Sequence, residues 1–170
     1  MLNIKDCCRD SKCVFVSKQE SGIPPDVESL KFNVDGAARG SPKAAGSGGV
    51  SRDYNRKVLC SFSSFAGHQC AKYVEILAIL RACQLCASQP SLSWKNIIII
   101  SDLSDVVSWV NDARLGKLCY LNYILEIRQW ISTMGNVSVI FNSRVSNFFA
   151  DSLAKRVVEY QVNTLVWSLG

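Results

Sequence analysis

Four carboxylates stand where the sequence pattern predicts that strands or helices begin or end: Asp35, Glu75, Asp102 and Asp151. Asp35 follows an alternating apolar run, and glycine and small residues come directly after it. We therefore expect Asp35 where a strand ends and the chain turns. Asp102 follows the continuous apolar run IIIIS, which is typical of a strand buried on both faces.

The other two carboxylates are expected on helices. Glu75 lies early in a helix predicted over residues 70–88, and apolar residues cover much of that helix. Asp151 lies in the first two turns of a helix predicted over residues 146–160, with Ser146 or Asn147 as its N-cap. Taken alone, a glutamate near a helix start is explained as well by a solvated residue favoured by the helix dipole.

Together, the four carboxylates predict a metal site if the fold brings them close. Several anions within a few ångströms repel one another unless a cation offsets their charge. Hard oxygen ligands suit Mg²⁺ or Mn²⁺. Two such ions about 4 Å apart can activate a water and stabilise the leaving oxygen of a phosphodiester. The expected chemistry is therefore hydrolytic phosphoryl transfer.

The elements that must position these side chains alternate between strands and helices. Five strands are predicted, at residues 30–35, 47–52, 57–65, 94–101 and 137–141. Helices are predicted at residues 70–88, 120–131 and 146–160, with a short helix near residue 106. The first three strands favour an antiparallel meander, and the helix-linked strands favour parallel crossovers. The sequence predicts an α/β fold with a mixed five-stranded sheet and helices on both faces.

Glycines cluster beside the second strand at Gly46, Gly48 and Gly49. They allow a close backbone approach and a tight bend. The lysine and hydroxyl of a phosphate-binding P-loop are missing, so we interpret the cluster as structural.

Length and composition indicate one globular domain. The chain has 170 residues, of which 48% are hydrophobic, and a formal net charge of +5. We expect an N-terminal leader at residues 1–28, the domain at residues 29–160 and a C-terminal tail at residues 161–170. The positive charge is a mild bias toward anionic partners such as nucleic acid. No apolar run is long enough to cross a membrane.

The eight cysteines are interpreted as mostly free thiols in a reducing, intracellular compartment, nuclear or cytoplasmic. Cys83 and Cys86 form a CxxC, which can mark a metal or redox site. They lie within a helical pattern and lack a second CxxC, so buried structural thiols are the favoured interpretation.

Four motifs resemble the type 1 ribonuclease H fold, and most closely the plant reverse-transcriptase-associated subgroup found in retroelements and as stand-alone host genes. They are NVDGAARGSP with GSGGV, YVEILAILRAC, IIIISDLSDVV and RVSNFFADSLAKR. Each motif alone is weak, but their order and spacing over residues 30–159 are specific. The resemblance implies that Asp35, Glu75, Asp102 and Asp151 bind two Mg²⁺ ions. It also implies that the RNA strand of an RNA–DNA hybrid is cut.

The sequence departs from the family pattern shortly before the last aspartate. The family often carries a histidine there, in a mobile loop that aids product release, where this sequence has Phe141. A proline usual near that loop is replaced by Ser143. These departures concern turnover and hybrid specificity more than metal binding.

Contacts to a hybrid are expected with its phosphates and its RNA 2′-hydroxyls. The backbone after Asp35 is expected to approach the RNA strand, and lysine and arginine side chains could face phosphates. The residues assigned to nucleic-acid binding are Gly36, Ala37, Arg39, Lys72 and Asn147, with Arg144 and Lys155 as further phosphate contacts. For each of the basic side chains, an ordinary solvated role remains open.

Three functions follow from these observations. The leading one is Mg²⁺-dependent endonucleolytic hydrolysis of RNA in RNA–DNA hybrids, with Mn²⁺ as the alternative ion, by a monomer that binds nucleic acid and no membrane. The second is a nucleic-acid-binding domain derived from a retroelement, with weak or no catalysis. The third is a structural or protein-interaction domain, which predicts neither hybrid affinity nor a metal-dependent shift in melting temperature.

Overall fold

The computed structural model describes residues 23–40, 43–143 and 147–168. Most of the predicted leader, the candidate cap Ser146 and the candidate phosphate contact Arg144 lie outside these ranges. The strands within them are β1 Ser29–Ala38, β2 Lys43–Arg52, β3 Val58–Gln69, β4 Asn96–Ser101, β5 Val137–Phe141 and β6 Thr164–Trp167. The α-helices within them are α1 Ala71–Ala87, α2 Ser104–Asn111, α3 Leu121–Met134 and α4 Phe148–Tyr160.

The strands form a single mixed sheet in the order β5-β4-β1-β2-β3-β6. β1, β2 and β3 are antiparallel neighbours, as the short turns predicted. β4 is parallel to both β1 and β5, as the helical connections predicted. The predicted α/β fold class and element order are therefore confirmed.

The predicted number of strands was wrong by one. The sixth strand, β6, pairs antiparallel with β3 from Cys60↔Trp167 to Ser63↔Thr164. It lies within residues 161–170, which the sequence predicts to be a C-terminal tail. Four residues are too few to show a hydrophobic period, so the sequence contains no signal for this strand. The strand forms through its pairing with β3.

The predicted position of Asp35 at the end of a strand was also wrong. β1 continues through Gly36 to Ala38, paired throughout with β2. The pairing of β1 with β4, in contrast, ends at Asn33↔Ile100. Asp35 therefore lies within β1, just beyond the point where the parallel neighbour stops. Gly36, after a short apolar run, suggested that the strand ends there, but β1 continues through this residue.

Helices cover both faces of the sheet. A Cβ atom added to Gly36 would lie 2.7 Å from the Glu75 amide nitrogen, so α1 approaches β1 at this residue. A Cβ atom added to Gly48, which pairs with Asp35, would lie 2.6 Å from the Ala154 amide nitrogen on α4. Because successive strand residues face opposite sides of a sheet, α1 and α4 lie on opposite faces.

The main hydrophobic core lies on the α1 face. Leu30, Phe32 and Val34 of β1 pack there in one buried cluster with residues of α1, α2 and α3. Cys83 and Cys86 belong to the same cluster, and burial raises the pKa of the Cys83 thiol to about 12. The two cysteines of the CxxC are thus buried free thiols, as the helical pattern predicted.

No described helix has both the length and the apolar character that a membrane crossing would require.

The glycines of β2 set the distance between the sheet and α4. The expected close backbone approach is confirmed at Gly48, and at Gly46 the nearest atom of α4 is the Val157 side chain; both glycines lie inside β2 rather than at a bend. Because the atoms nearest to Gly48 are the backbone nitrogen of Ala154 and the carbonyl oxygen of Ala150, they cannot rotate away. Small residues are therefore needed where α4, which carries Asp151, lies against the sheet.

Replacing Gly48 should displace α4. In Gly48→Ala, the new methyl group meets backbone atoms at 2.6 and 2.8 Å. We expect a loss of about 1–3 kcal/mol in the free energy of unfolding, the usual cost of overpacking. Urea unfolding of the variant measures it, beside Ser138→Ala at an exposed position of β5 as the control. Equal stability of the two variants would show that α4 is not held at this distance.

Candidate metal centre and nucleic-acid interface

Asp35 and Glu75 are brought together by one backbone amide. The Gly36 N–H donates to Asp35 Oδ1 at 2.9 Å and to Glu75 Oε1 at 2.9 Å. Glu75 can reach this amide because Gly36 has no side chain to hold the first turns of α1 away from β1. Both side chains are buried, so the alternative of a solvated glutamate at a helix start is excluded.

Asp102 joins the pair from the end of β4. It follows Ser101, the last residue of the strand, at the level where β1 has lost its parallel neighbour. Ligand oxygens of Asp35, Glu75 and Asp102 all lie within 4.8 Å of one another. We call these three residues the acidic cluster. Its donors are carboxylate oxygens only, which is the set that hard divalent cations prefer.

Asp151 lines the same cleft as the acidic cluster. It stands in the first turn of α4, and its Oδ2 accepts a bond of 2.7 Å from Lys155 Nζ one turn further on. Asp151 is not one of the three residues whose oxygens lie within 4.8 Å, although its charge contributes to raising the pKa of Asp35. The ligand oxygens of three of the four predicted ligands thus lie within 4.8 Å of one another. The fourth ligand, Asp151, is paired with Lys155 in the same cleft.

Asn147 fixes α4 to β1 beside the acidic cluster. It is the residue before α4, and its Nδ2 donates to the Val34 carbonyl oxygen at 2.7 Å. Its side chain therefore makes no capping bond to the helix, unlike the N-cap predicted from the sequence. Asn147 is buried, and its Oδ1 has no hydrogen-bond partner among the described residues.

Burial of the cluster disfavours its negative charge. Burial raises the pKa of Asp35 from its usual 3.8 to about 6, helped by the charges of Asp102 and Asp151 and opposed by hydrogen bonds from Glu75 and the Gly36 amide. Burial also raises the pKa of Glu75 well above its usual value, with the Asp35 carboxyl as the next cause. A divalent cation would favour the ionised carboxylates and reverse this balance.

The residues predicted to bind nucleic acid divide into two groups. A cleft of about 720 Å³ contains the acidic cluster and is also lined by Gly36, Ala37, Arg39, Asn147 and Lys155. Lys72 does not line this cleft. Its Nζ lies 2.7 Å from Asp105 Oδ2 and 5.2 Å from the centre of the Trp109 ring.

Sequence reasoning missed two contacts that hold the cluster together. Ser101 Oγ donates to Glu75 Oε2 at 3.2 Å, and the Gly36 amide is shared by two carboxylates. A serine directly before Asp102, at the end of an otherwise isoleucine-rich buried strand, was a usable signal, because buried hydroxyls need partners. Nothing in the sequence could indicate that the Gly36 amide faces Glu75.

The fold is that of ribonuclease H, as three solved structures show. RNase H1 isolated from compost by a metagenomic approach (LC11) is 21% identical, with a TM-score of 0.73, over 79% of this chain and 98% of that one. RNase H1 of Halobacterium salinarum NRC-1 is 20% identical, with a TM-score of 0.70, over 78% and 98%. The foamy viral protease–reverse transcriptase in complex with an RNA/DNA hybrid is 20% identical, with a TM-score of 0.69, over 86% of this chain and 22% of that one.

Residues 33–157 match the family described as reverse transcriptase-like, and the chain belongs to this family. The matched segment runs from β1 to α4 and includes all four carboxylates. No curated protein matches the chain significantly. A structure of the LC11 enzyme in complex with an RNA/DNA hybrid is 20% identical to this chain, with a TM-score of 0.72, over 78% of this chain and 99% of that one.

The raised pKa of Asp35 predicts how stability depends on pH. Between about pH 4 and 6 the native metal-free protein binds a proton more tightly than the unfolded chain does, so its unfolding free energy falls as pH rises through this window. Asp35→Asn removes the group. We expect a flatter pH dependence and a higher unfolding free energy than wild type above pH 6, because a buried charge is removed.

Urea unfolding at pH 4.5 to 7.5 in the presence of a chelator measures both effects. Asp112→Asn is the control, because Arg114 lowers the pKa of that exposed carboxyl to about 2, outside this window. A wild-type stability that rises between pH 4.5 and 6.5 would contradict the prediction.

The Asn147 contact predicts a second loss of stability. Asn147→Ala leaves the Val34 carbonyl oxygen without the amide that donates to it. We expect the unfolding free energy to fall by about 1–3 kcal/mol, the cost of an unsatisfied buried group. Asn122→Ala, at an exposed position of α3, is the matched control, expected within about 0.5 kcal/mol of wild type. If both variants unfold at the same urea concentration, Asn147 does not tie α4 to β1.

Proposed function

We propose that this protein is a metal-dependent endonuclease that hydrolyses the RNA strand of RNA–DNA hybrids. The observation that carries the proposal is the acidic cluster, three carboxylates from β1, α1 and the residue after β4, whose ligand oxygens lie within 4.8 Å of one another in an open cleft. The ribonuclease H fold and the reverse transcriptase-like family support the same substrate, since two of the similar structures hold an RNA/DNA hybrid.

We assign metal binding to Asp35, Glu75, Asp102 and Asp151, and Mg²⁺ as the ion, with Mn²⁺ as the alternative. When bound, the ions would supply an activated water and a counter-charge for the leaving oxygen. The Gly36 amide and the Ser101 hydroxyl hold Glu75, so the protein has already fixed the orientation of this ligand. Asp151 would complete the set from α4, once Lys155 exchanges its carboxylate partner for a substrate phosphate.

The cleft also contains groups suited to hold the hybrid. Among the described residues, Arg39 and Lys155 are the basic side chains that line the cleft, and both are exposed. We assign them to phosphates, with Gly36 and Ala37 as close backbone approaches to the RNA strand. Asn147 would serve this interface by holding α4 in place. Lys72 would contact phosphate only by leaving Asp105, so we place it at the margin of the interface.

A side-chain base is not part of the proposed mechanism. His68, the one histidine of the sequence, lies exposed on β3 and is absent from the cleft lining. Phe141, at the position where the resembled family often has a histidine, is 52% exposed at the end of β5. The water would therefore be activated by metal, and we expect product release to proceed without the family's loop histidine.

The subgroup, the domain bounds and the oligomeric state are also part of this proposal. We propose membership of the plant reverse-transcriptase-associated subgroup, with a retroelement origin, on the four sequence motifs. We also propose a domain at residues 29–160 with a leader at residues 1–28, and a monomeric state; β6, within the predicted tail at residues 161–170, adds a strand to the sheet of this domain. The family description, reverse transcriptase-like, is consistent with the subgroup.

Cleavage of a hybrid labelled on its RNA strand tests the function. With Mg²⁺ or Mn²⁺ we expect cutting of the RNA strand only, and none of RNA–RNA or DNA–DNA duplexes. Asp102→Asn should lower the rate by more than about 100-fold, because even residues behind metal ligands typically cost 10- to 100-fold. Asp112→Asn, which removes an exposed carboxylate paired with Arg114, should cut at the wild-type rate.

The exposed Phe141 favours a second candidate, a hybrid-binding domain without useful catalysis. The same samples separate the two functions. A folded wild-type protein that binds the hybrid in either metal but leaves it intact would support the second candidate. Absence of both binding and cutting would contradict both, and would leave the structural or protein-interaction role.

A further inference from the structure

Ser101 is a polar residue in a place that otherwise holds apolar side chains. It ends β4, whose sequence is NIIIIS, and its side chain is completely buried. A buried hydroxyl is costly unless it is hydrogen-bonded, so a serine at this position needs partners. Both of its partners belong to the neighbourhood of the acidic cluster.

The hydrogen bonds of Ser101 have a fixed direction. The Leu103 N–H donates to Ser101 Oγ at 3.3 Å, and Ser101 Oγ donates to Glu75 Oε2 at 3.2 Å. A backbone N–H can only donate, and the ionised carboxylate that binds a metal can only accept, so the hydrogen of Ser101 is directed to Glu75 in that state. Ser101 thereby connects the residues that flank Asp102 with the glutamate of α1.

Glu75 is consequently held at both of its oxygens by two different strands. Oε1 accepts from the Gly36 amide on β1, and Oε2 accepts from Ser101 on β4. Two donors from separate elements fix the plane of the carboxylate, and each oxygen keeps a further lone pair. Without Ser101, Oε2 would lose this donor, and the plane of the carboxylate would be held less firmly.

We propose that Ser101 is a positioning residue that orients Glu75 for binding a divalent cation at the acidic cluster, an inference that rests on the proposed function. Loss of a residue that hydrogen-bonds to a metal ligand typically costs 10- to 100-fold in metal affinity or activity. Ser101 acts through Glu75 and touches no substrate. It also fixes the spacing between Glu75 and the adjacent ligand Asp102.

The test is metal binding to the full chain, measured by calorimetry with Mn²⁺ and with Mg²⁺ after treatment with a chelator. Ser101→Ala should bind Mn²⁺ about 10- to 100-fold more weakly than wild type. Ser101→Thr keeps the hydroxyl and should recover most of that affinity. If Ser101→Ala does not fold, Ser101→Cys, with its weak donor, takes its place with the same expectation.

Ser63→Ala is the matched control. Ser63 is also a buried strand serine, and its hydroxyl bonds to Thr164 Oγ1 at 2.8 Å on the β3–β6 side of the sheet. Both alanine variants should melt at lower temperature, but only Ser101→Ala should lose metal affinity. In a Glu75→Gln background, the Ser101→Ala replacement should cause no further loss, because its partner ligand is already gone.

The outcomes are distinct. Wild-type metal affinity in a folded Ser101→Ala protein, or an equal loss in Ser101→Ala and Ser101→Thr, overturns the positioning role and leaves the proposed function intact. A wild-type chain that binds neither ion and cuts no hybrid overturns the proposed function, and the inference with it. Weaker binding in Ser101→Ala, recovered in Ser101→Thr and absent from Ser63→Ala, supports the role.

Discussion

Mutual repulsion among buried carboxylates is the constraint on which this structure depends. Asp35 and Glu75 are buried and share one backbone amide. The ligand oxygen of Asp102 lies within 4.8 Å of theirs. Burial of such groups costs free energy unless protons or a cation offset the charge. The rest of the fold supplies the stability needed to hold them together, through a core that fills the space between β1 and the helices on the α1 face.

The sheet makes room for the cluster by ending one strand early. β4 stops pairing with β1 at Asn33↔Ile100, while β1 runs on with β2 alone. The open side of β1 beyond that point is occupied by polar groups from elsewhere: Asn147 bonds to the Val34 carbonyl, and Glu75 accepts from the Gly36 amide. The site therefore occupies the edge that a longer β4 would have covered.

The sequence predicted which segments form helices and strands better than it predicted where strands end and how they pair. Strong periods and an isoleucine run indicated α1 and β4, and three of the four carboxylates named from the sequence come together in the acidic cluster. The continuation of β1 past Gly36 could not be predicted, because it depends on pairing with Ala45 and Gly46 of β2. The same holds for β6, a four-residue strand that exists only through its partner β3. Contacts between distant segments decided each of these points.

The short strand β6 also determines how the sheet is closed on that side. A sheet edge presents unpaired amides and carbonyls, which can template pairing with another chain. β6 covers Cys60 to Ser63 of β3, and the Ser63–Thr164 hydroxyl pair and Trp167, which packs on the core, hold it there. Loss of these few residues would leave Cys60 to Ser63 of β3 unpaired along the outer edge of the sheet. β6 itself then forms the sheet edge, and its four residues offer a much shorter template for such pairing than the twelve residues of β3 would.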